Sequence, residues 1–209
     1  MANVITLSRL LLLIVVIVIA YQPPSLVQFI NVPLMILLFV TDALDGYIAR
    51  KQDEVSLFGA MFDIAGDRIV EIFMWIVLAD LDLIPIWVPL VFVGRGVIVD
   101  TIRASQAYGQ HSTPFEAIRT PLGQWLVAGK FMRIFYAVLK AHAFCWLLLL
   151  LPLPSTLPAV WAEWGGLLKL VGNVLVYTSV LICIARGLPV VIEFVYGQRH
   201  AILGRQERR

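Results

Sequence analysis

Six apolar stretches punctuate this chain of 209 residues, at approximately Ile5–Tyr21, Val27–Arg50, Leu57–Ala79, Ile84–Ser105, Gln124–Leu151 and Leu167–Tyr196. An α-helix rises about 1.5 Å per residue, so roughly 20 apolar residues are what a helix needs to cross the hydrocarbon core of a bilayer. Composition agrees, with 60% hydrophobic and 14% charged residues, where a soluble domain has about 45–50% and 25%. The mean hydropathy is +0.89. A soluble fold of this length has too small an interior for so many apolar residues, so lipid is part of the solvent. A disordered chain, a soluble nucleic-acid binder and a disulfide scaffold are thereby excluded. Cys145 and Cys183 lie far apart in apolar runs and read as inert buried thiols. The expectation is an all-α polytopic membrane protein, one integral-membrane domain over residues 1–209 with six transmembrane helices.

Turn residues separate the stretches: Pro23-Pro24, Asp80-Leu81-Asp82 with Pro85, His111 to Pro114, and Pro152 to Pro158. The first stretch reads as a helix and not as a signal peptide, because Tyr21-Gln22-Pro23-Pro24 makes a poor cleavage site. Residues 22–26, 80–83 and 152–166 contain no Lys or Arg, whereas Arg9, Arg50, Lys51, Arg119 and the tail arginines Arg199, Arg205, Arg208 and Arg209 fall on the other side, with Arg103 at the end of the fourth stretch. The positive-inside bias then places the N- and C-termini in the cytoplasm, in the inner membrane if the source is bacterial. The basic tail reads as an anchor against anionic headgroups.

Charges inside these stretches are the exception that asks for a function. Asp42, Asp45, Asp63, Asp67, Arg68, Glu71, Arg95 and Asp100 all lie in segments otherwise fit for lipid. Intramembrane ionisable residues are costly, and they pair, line a cavity or do chemistry. Structural ion pairs with nearby arginines and a proton relay in a small ion-coupled transporter both compete with a catalytic reading. Spacing bears on the choice. If the second and third stretches form an antiparallel hairpin turning near Glu54, Asp45 and Asp63 each lie nine residues from the turn, and Asp42 and Asp67 lie twelve and thirteen away. The four carboxylates then fall in two adjacent layers one helical turn apart, each pair on one face of its helix. Ala49 and Gly59 are level in the same register, and with Gly46 they let two helix backbones approach closely.

Four converging carboxylates do not all stay ionised without counter-charge. Two divalent cations balance the four negative charges, and an all-oxygen donor set without His or Cys favours Mg²⁺ or Mn²⁺ over zinc. His111, His142 and His200 fall outside the hairpin and match no metal spacing. Paired metals suit in-line displacement at phosphorus, and Arg50 offers a bidentate donor to a phosphate oxygen. Metal-assisted phosphoryl-type transfer at the inner membrane face follows from the residues alone.

The run Asp42-Ala-Leu-Asp45-Gly46-Tyr-Ile-Ala49-Arg50, then eight residues, Gly59, three residues, Asp63, three residues and Asp67 resembles the signature of the CDP-alcohol phosphotransferases. Eight fixed positions coincide by chance on the order of 10⁻¹⁰ per starting point at average residue usage. The resemblance implies that Asp42, Asp45 and Asp63 bind the metals, with Asp67 near the second ion and acting as base for the acceptor hydroxyl. It implies that Asp42, Gly46, Ala49, Arg50 and Gly59 line the pocket for the cytidine diphosphate moiety. It also implies CDP-diacylglycerol as the donor, a small alcohol as the acceptor, CMP as the leaving group, and a homodimer of six-helix protomers.

Asn3-Val-Ile-Thr6-Leu7-Ser8-Arg9 and the pair Arg95 and Arg103 are similar to phosphatidylglycerophosphate synthases, which implies glycerol 3-phosphate as the acceptor. Arg95, Arg103, Lys130 and Arg133, and Arg119 if it does not simply follow the positive-inside bias, offer cations for the acceptor's phosphate. Gly129-Lys130-Phe131-Met132-Arg133 departs from the Gly-Lys-x-Lys-Thr of those synthases and leaves inositol phosphate as the alternative acceptor. Lys140, Arg186 and Glu193 read as structural partners or snorkelling residues.

Overall fold

The computed structural model describes residues 2–52, 57–109, 125–126 and 129–203. Among them all regular structure is helical: α1 (Ala2–Ala20), α2 (Asn31–Gln52), α3 (Leu57–Asp80), α4 (Trp87–Gly109), α5 (Lys130–Leu150) and α6 (Pro158–Leu203), with a 3₁₀ turn at Leu26–Ile30 and a single α-turn at Leu153–Thr156. Two of these segments, Lys130–Thr156 and Pro158–Tyr196, are long and apolar enough to cross a membrane, and Thr6–Ala20 and Leu26–Asp42 are shorter apolar helical stretches. The hydrophobic runs of α3 and α4 are interrupted by the charges anticipated there, Asp63, Asp67, Arg68 and Glu71 in one and Arg95, Asp100 and Arg103 in the other.

α1 shows why these helices suit lipid. Leu13, Val16 and Ala20 are buried, yet Leu7, Leu11, Ile14, Val15 and Val18 on its other faces are exposed. A helix that is apolar all round has no face for water. Exposed Ile, Leu, Val and Phe side chains recur along α2 to α6.

Helix boundaries follow local chemistry. The 3₁₀ turn delays α2 to Asn31, four residues beyond the expected Val27, and Gln28 serves that turn by donating from Nε2 to the carbonyls of Ala20 (3.0 Å) and Gln22 (2.9 Å). These bonds satisfy carbonyls that the end of α1 leaves without helical partners. α3 ends where the Asp80-Leu81-Asp82 turn was expected. Leu83 N–H reaches Leu78 O (3.0 Å), Asp82 N–H reaches Ala79 O (3.1 Å), and Asp82 has φ 57. This is a Schellman closure with Asp in the left-handed position that glycine usually fills. The largest departure from the sequence reading is α6. It was expected at Leu167 after a linker covering 152–166, but it begins at Pro158. Proline at a first helical position loses no needed hydrogen bond, and Gly165 and Gly166 cost only about 1 kcal/mol each against alanine. Lys169 Nζ lies 5.1 Å from the Trp161 ring and further ties the added turns.

The chain forms two compact units, residues 1–89 with 139–176 and residues 90–138 with 177–209. In the first, α1 packs on both α2 and α3. Its core includes Leu13, Val16, Met35, Leu38, Met74, Trp75, Leu78, Phe144 and Leu148. Trp75 meets Phe144 edge-on at 4.6 Å between centroids, and Phe39 stacks on Phe144 at 6.4 Å. Trp146 Nε1 donates to Leu168 O at 3.0 Å and links α5 to α6. In the second unit Val99, Ile102 and Val190 form a core with Leu126, Val191 and Phe194 around them. Neither cysteine forms a disulfide; Cys183 is buried and Cys145 partly so.

Candidate metal centre

Gly66 sets how closely α1 approaches α3. A β-carbon there would lie 2.7 Å from Thr6 Cγ2, so only glycine leaves room for the buried Thr6. One turn beyond Thr6, Arg9 is therefore carried against the acidic face of α3. Asp42 arrives from α2, and Asp63 and Asp67, spaced i,i+4, share one face of α3.

One oxygen from each of Asp42, Asp63 and Asp67 lies within 4.8 Å of the other two. Arg9 joins all three carboxylates: Nη1 stands 2.5 Å from Asp42 Oδ1 and 3.3 Å from Asp63 Oδ1, and Nη2 stands 2.7 Å from Asp67 Oδ1. The guanidinium side chain is 3% exposed, whereas the carboxylates are 35%, 44% and 51% exposed in the same order. The cation is thus fixed on the protein side of the cluster and the acids open outward. Among the described residues, these three carboxylates against one guanidinium leave a formal surplus of two negative charges, which is the charge of one divalent ion. A donor set made only of carboxylate oxygens suits a hard cation of the Mg²⁺ or Mn²⁺ kind, so the cluster fits metal binding.

Asp45, Gly46, Ala49 and Arg50 occupy helical backbone of α2, and their side chains lie outside the described residues, as does the link at 53–56. Gly59 is buried on α3. The basic residues expected for the acceptor's phosphate belong to the second unit. Arg95, on α4, is half-buried, and its Cγ lies 2.9 Å from where a β-carbon of Gly187 would stand, so α6 makes room for it with glycine. Arg103 is on α4 with its side chain outside the described residues, Lys130 and Arg133 are exposed near the start of α5, Met132 is buried, and Arg119 lies outside the description.

The ion-pair reading holds one turn along α3. Glu71 accepts from Arg68 Nη1 (3.2 Å) and pairs with Lys140 Nζ (2.8 Å), which makes Lys140 a structural partner. Arg186 is buried on α6, with its guanidinium carbon 5.6 Å from the centre of the Tyr136 ring.

Sequence reasoning missed Arg9. It entered only as a charge that orients the first helix and as part of an opening motif. The available signal was position: Arg9 stands at i+3 from Thr6 inside an otherwise apolar run, where an unpaired cation is costly.

A family model described as CDP-alcohol phosphatidyltransferase matches residues 1–185. Curated relatives carry the name CDP-diacylglycerol--glycerol-3-phosphate 3-phosphatidyltransferase. The one from Rickettsia typhi is 32% identical over 112 residues, covering 54% of this chain and 63% of the relative. The one from Bacillus subtilis is 36% identical over 70 residues, 34% of this chain and 36% of the relative. The matched stretch thus spans less than two thirds of the relatives' own length. With most of its length inside the family model and three acids of the eight-position signature, Asp42, Asp63 and Asp67, converging from α2 and α3, the chain belongs to the CDP-alcohol phosphatidyltransferase family.

Proposed function

We propose that this protein is a phospholipid-synthesising transferase that moves a phosphatidyl group from CDP-diacylglycerol to glycerol 3-phosphate and releases CMP. The observation that carries this reading is the convergence of Asp42, Asp63 and Asp67 within 4.8 Å at the positions of the family signature. The names of the relatives support the acceptor.

Asp42, Asp45 and Asp63 hold the metal, with Asp67 at a second ion. Two ions, Mg²⁺ or Mn²⁺, when bound supply positive charge to the pyrophosphate and to the departing CMP. Gly46, Ala49, Arg50 and Gly59 border the cytidine diphosphate. Asp67 accepts the proton of the acceptor hydroxyl, a poor nucleophile at neutral pH. The acceptor oxygen forms a bond to the phosphorus that bears diacylglycerol, and the bond from that phosphorus to the bridging oxygen breaks. Arg95, Arg103, Lys130 and Arg133 bind the acceptor's own phosphate by charge-assisted hydrogen bonds. The six helices span the membrane with both termini and the acidic site on the cytoplasmic side, in one domain that pairs as a homodimer.

Release of CMP from CDP-diacylglycerol in detergent micelles, with acceptors offered one at a time, tests the proposal. Release with glycerol 3-phosphate that requires Mg²⁺ or Mn²⁺ is the expected result. Release only with inositol phosphate moves the acceptor assignment and keeps the chemistry. No release with any phosphorylated or plain alcohol contradicts the reading as a transferase and returns the acidic cavity to an ion-coupled transporter.

A further inference from the structure

Arg9 is nearly withdrawn from solvent, and three carboxylates from two other helices close on its guanidinium. Its Nε is buried and makes no hydrogen bond among the described residues, and Nη1 and Nη2 reach the acids. Packing fixes this placement, since Thr6 on the preceding turn is buried against Gly66. Ligands in adjacent positions around Mg²⁺, at about 2.1 Å from the ion, stand roughly 3 Å apart. The cluster's oxygens lie within 4.8 Å of one another, and Arg9 bonds Oδ1 of all three acids. A divalent ion and the guanidinium therefore draw on the same small set of carboxylates, and the arginine side chain is only 3% exposed to water.

We propose that Arg9 is a positioning residue that serves as the built-in cation of the acidic site, drawing α1, α2 and α3 together and holding the affinity for divalent ions down. The inference rests on the metal reading of Asp42, Asp63 and Asp67. Two consequences follow from a fixed positive charge at this place. Without a divalent ion, the three acids keep Arg9 as a shared partner and their mutual repulsion is reduced. With a divalent ion, the guanidinium repels it across a few ångströms in a medium less polar than bulk water, which makes binding weaker and exchange easier.

The test is a titration with Mn²⁺ alone, with no nucleotide or lipid substrate, read by the electron paramagnetic resonance signal of free Mn²⁺. The samples are the full chain in detergent micelles as wild type, Arg9→Gln and Arg9→Lys. Arg9→Gln is expected to bind Mn²⁺ about tenfold tighter or more, because the like charge is gone. Arg9→Lys keeps the charge and is expected to stay within about threefold of wild type, while its melting temperature in EDTA falls because a single ammonium cannot bridge as the fork does. The gap in melting temperature between Mn²⁺ and EDTA should widen in Arg9→Gln, and a variant recoverable only with Mn²⁺ present is the extreme of that result. Equal or weaker Mn²⁺ binding by Arg9→Gln overturns the proposal. If Arg9→Gln does not fold with Mn²⁺, an Arg9→Lys variant whose melting temperature in EDTA or Mn²⁺ affinity departs from these expectations overturns it, and one that meets both supports it. A wild-type protein that binds no Mn²⁺ contradicts the metal reading itself, an outcome separate from failure of the role of Arg9.

Discussion

Two clusters of charge sit on neighbouring turns of α3 and are balanced in opposite ways. Asp63 and Asp67, joined by Asp42, meet one guanidinium, so by these ion pairs three negative charges face a single positive one. Four residues on, Glu71 meets both Arg68 and Lys140, so by the ion pairs among the described residues one negative charge faces two positive ones. Exposure differs as well: the acids of the first cluster are 35–51% exposed and Glu71 is 14% exposed. Among the described residues the first cluster carries more negative than positive charge and is open to solvent, as a cation-binding site has to be. The second is closed within the protein and joins α3 to α5. Charge within an otherwise apolar helix therefore does not by itself mark a site, and the sign of the local imbalance separates the two.

The largest effect expected from this contrast is on turnover. Chelation of divalent ions should lower CMP release by about a thousandfold or more, the scale on which bound metals stabilise charge in the transition state. Activity should return on addition of Mg²⁺, whereas Na⁺ at equal charge should not restore it. The measurement is CMP release before and after chelation.

Gly66→Leu comes next. Four added carbons cannot fit where even a β-carbon would stand 2.7 Å from Thr6 Cγ2, and overpacking of this kind costs about 1–3 kcal/mol. α1 should move away and carry Arg9 from the acids, so thermal unfolding should occur earlier and Mn²⁺ affinity should change. At Gly94, inside α4, where a β-carbon meets nothing within 4 Å, substitution by alanine should delay unfolding slightly, by about 1 kcal/mol or less.

Glu71→Gln should act on stability in preference to chemistry. It leaves Arg68 and Lys140 without their shared carboxylate, and the loss should be about 1–2 kcal/mol, between the small worth of an exposed pair and the cost of breaking a buried one. The double change Glu71→Gln with Lys140→Met should recover part of it, because the stranded charge is removed too. Denaturation in detergent read by intrinsic tryptophan fluorescence checks both.

How far the sequence reveals this arrangement depends on the range of the interaction concerned. Asp42, Asp63 and Asp67 were legible because helix periodicity and a short link fix their register, and the turn after Asp80 was legible because it is local. Arg9 was not, because its partners are 33, 54 and 58 residues away in sequence and no local rule joins α1 to α3. The same holds for Gly66, whose need for a small side chain comes wholly from Thr6. The early start of α6 was hidden for a different reason: prolines and glycines at 152–166 signal a turn, yet Pro158 is tolerated as a first helical residue.

The smallest effect concerns the closure of α3, away from both clusters. Asp82 holds φ 57, a conformation open to glycine at no steric cost. Asp82→Gly should change stability by about 1 kcal/mol or less, in the stabilising direction, with CMP release unaltered. A loss of activity there would mean that the turn communicates with the acids.

The contrast between the two clusters is tested most directly by neutralising one acid in each and measuring the same reaction. CMP release from CDP-diacylglycerol with glycerol 3-phosphate and saturating Mg²⁺ should be compared for Asp63→Asn and Glu71→Gln, at equal amounts of folded protein. The account predicts that Asp63→Asn is inactive while still folded and that Glu71→Gln turns over within a few-fold of wild type. Activity retained by Asp63→Asn and lost by Glu71→Gln would contradict it.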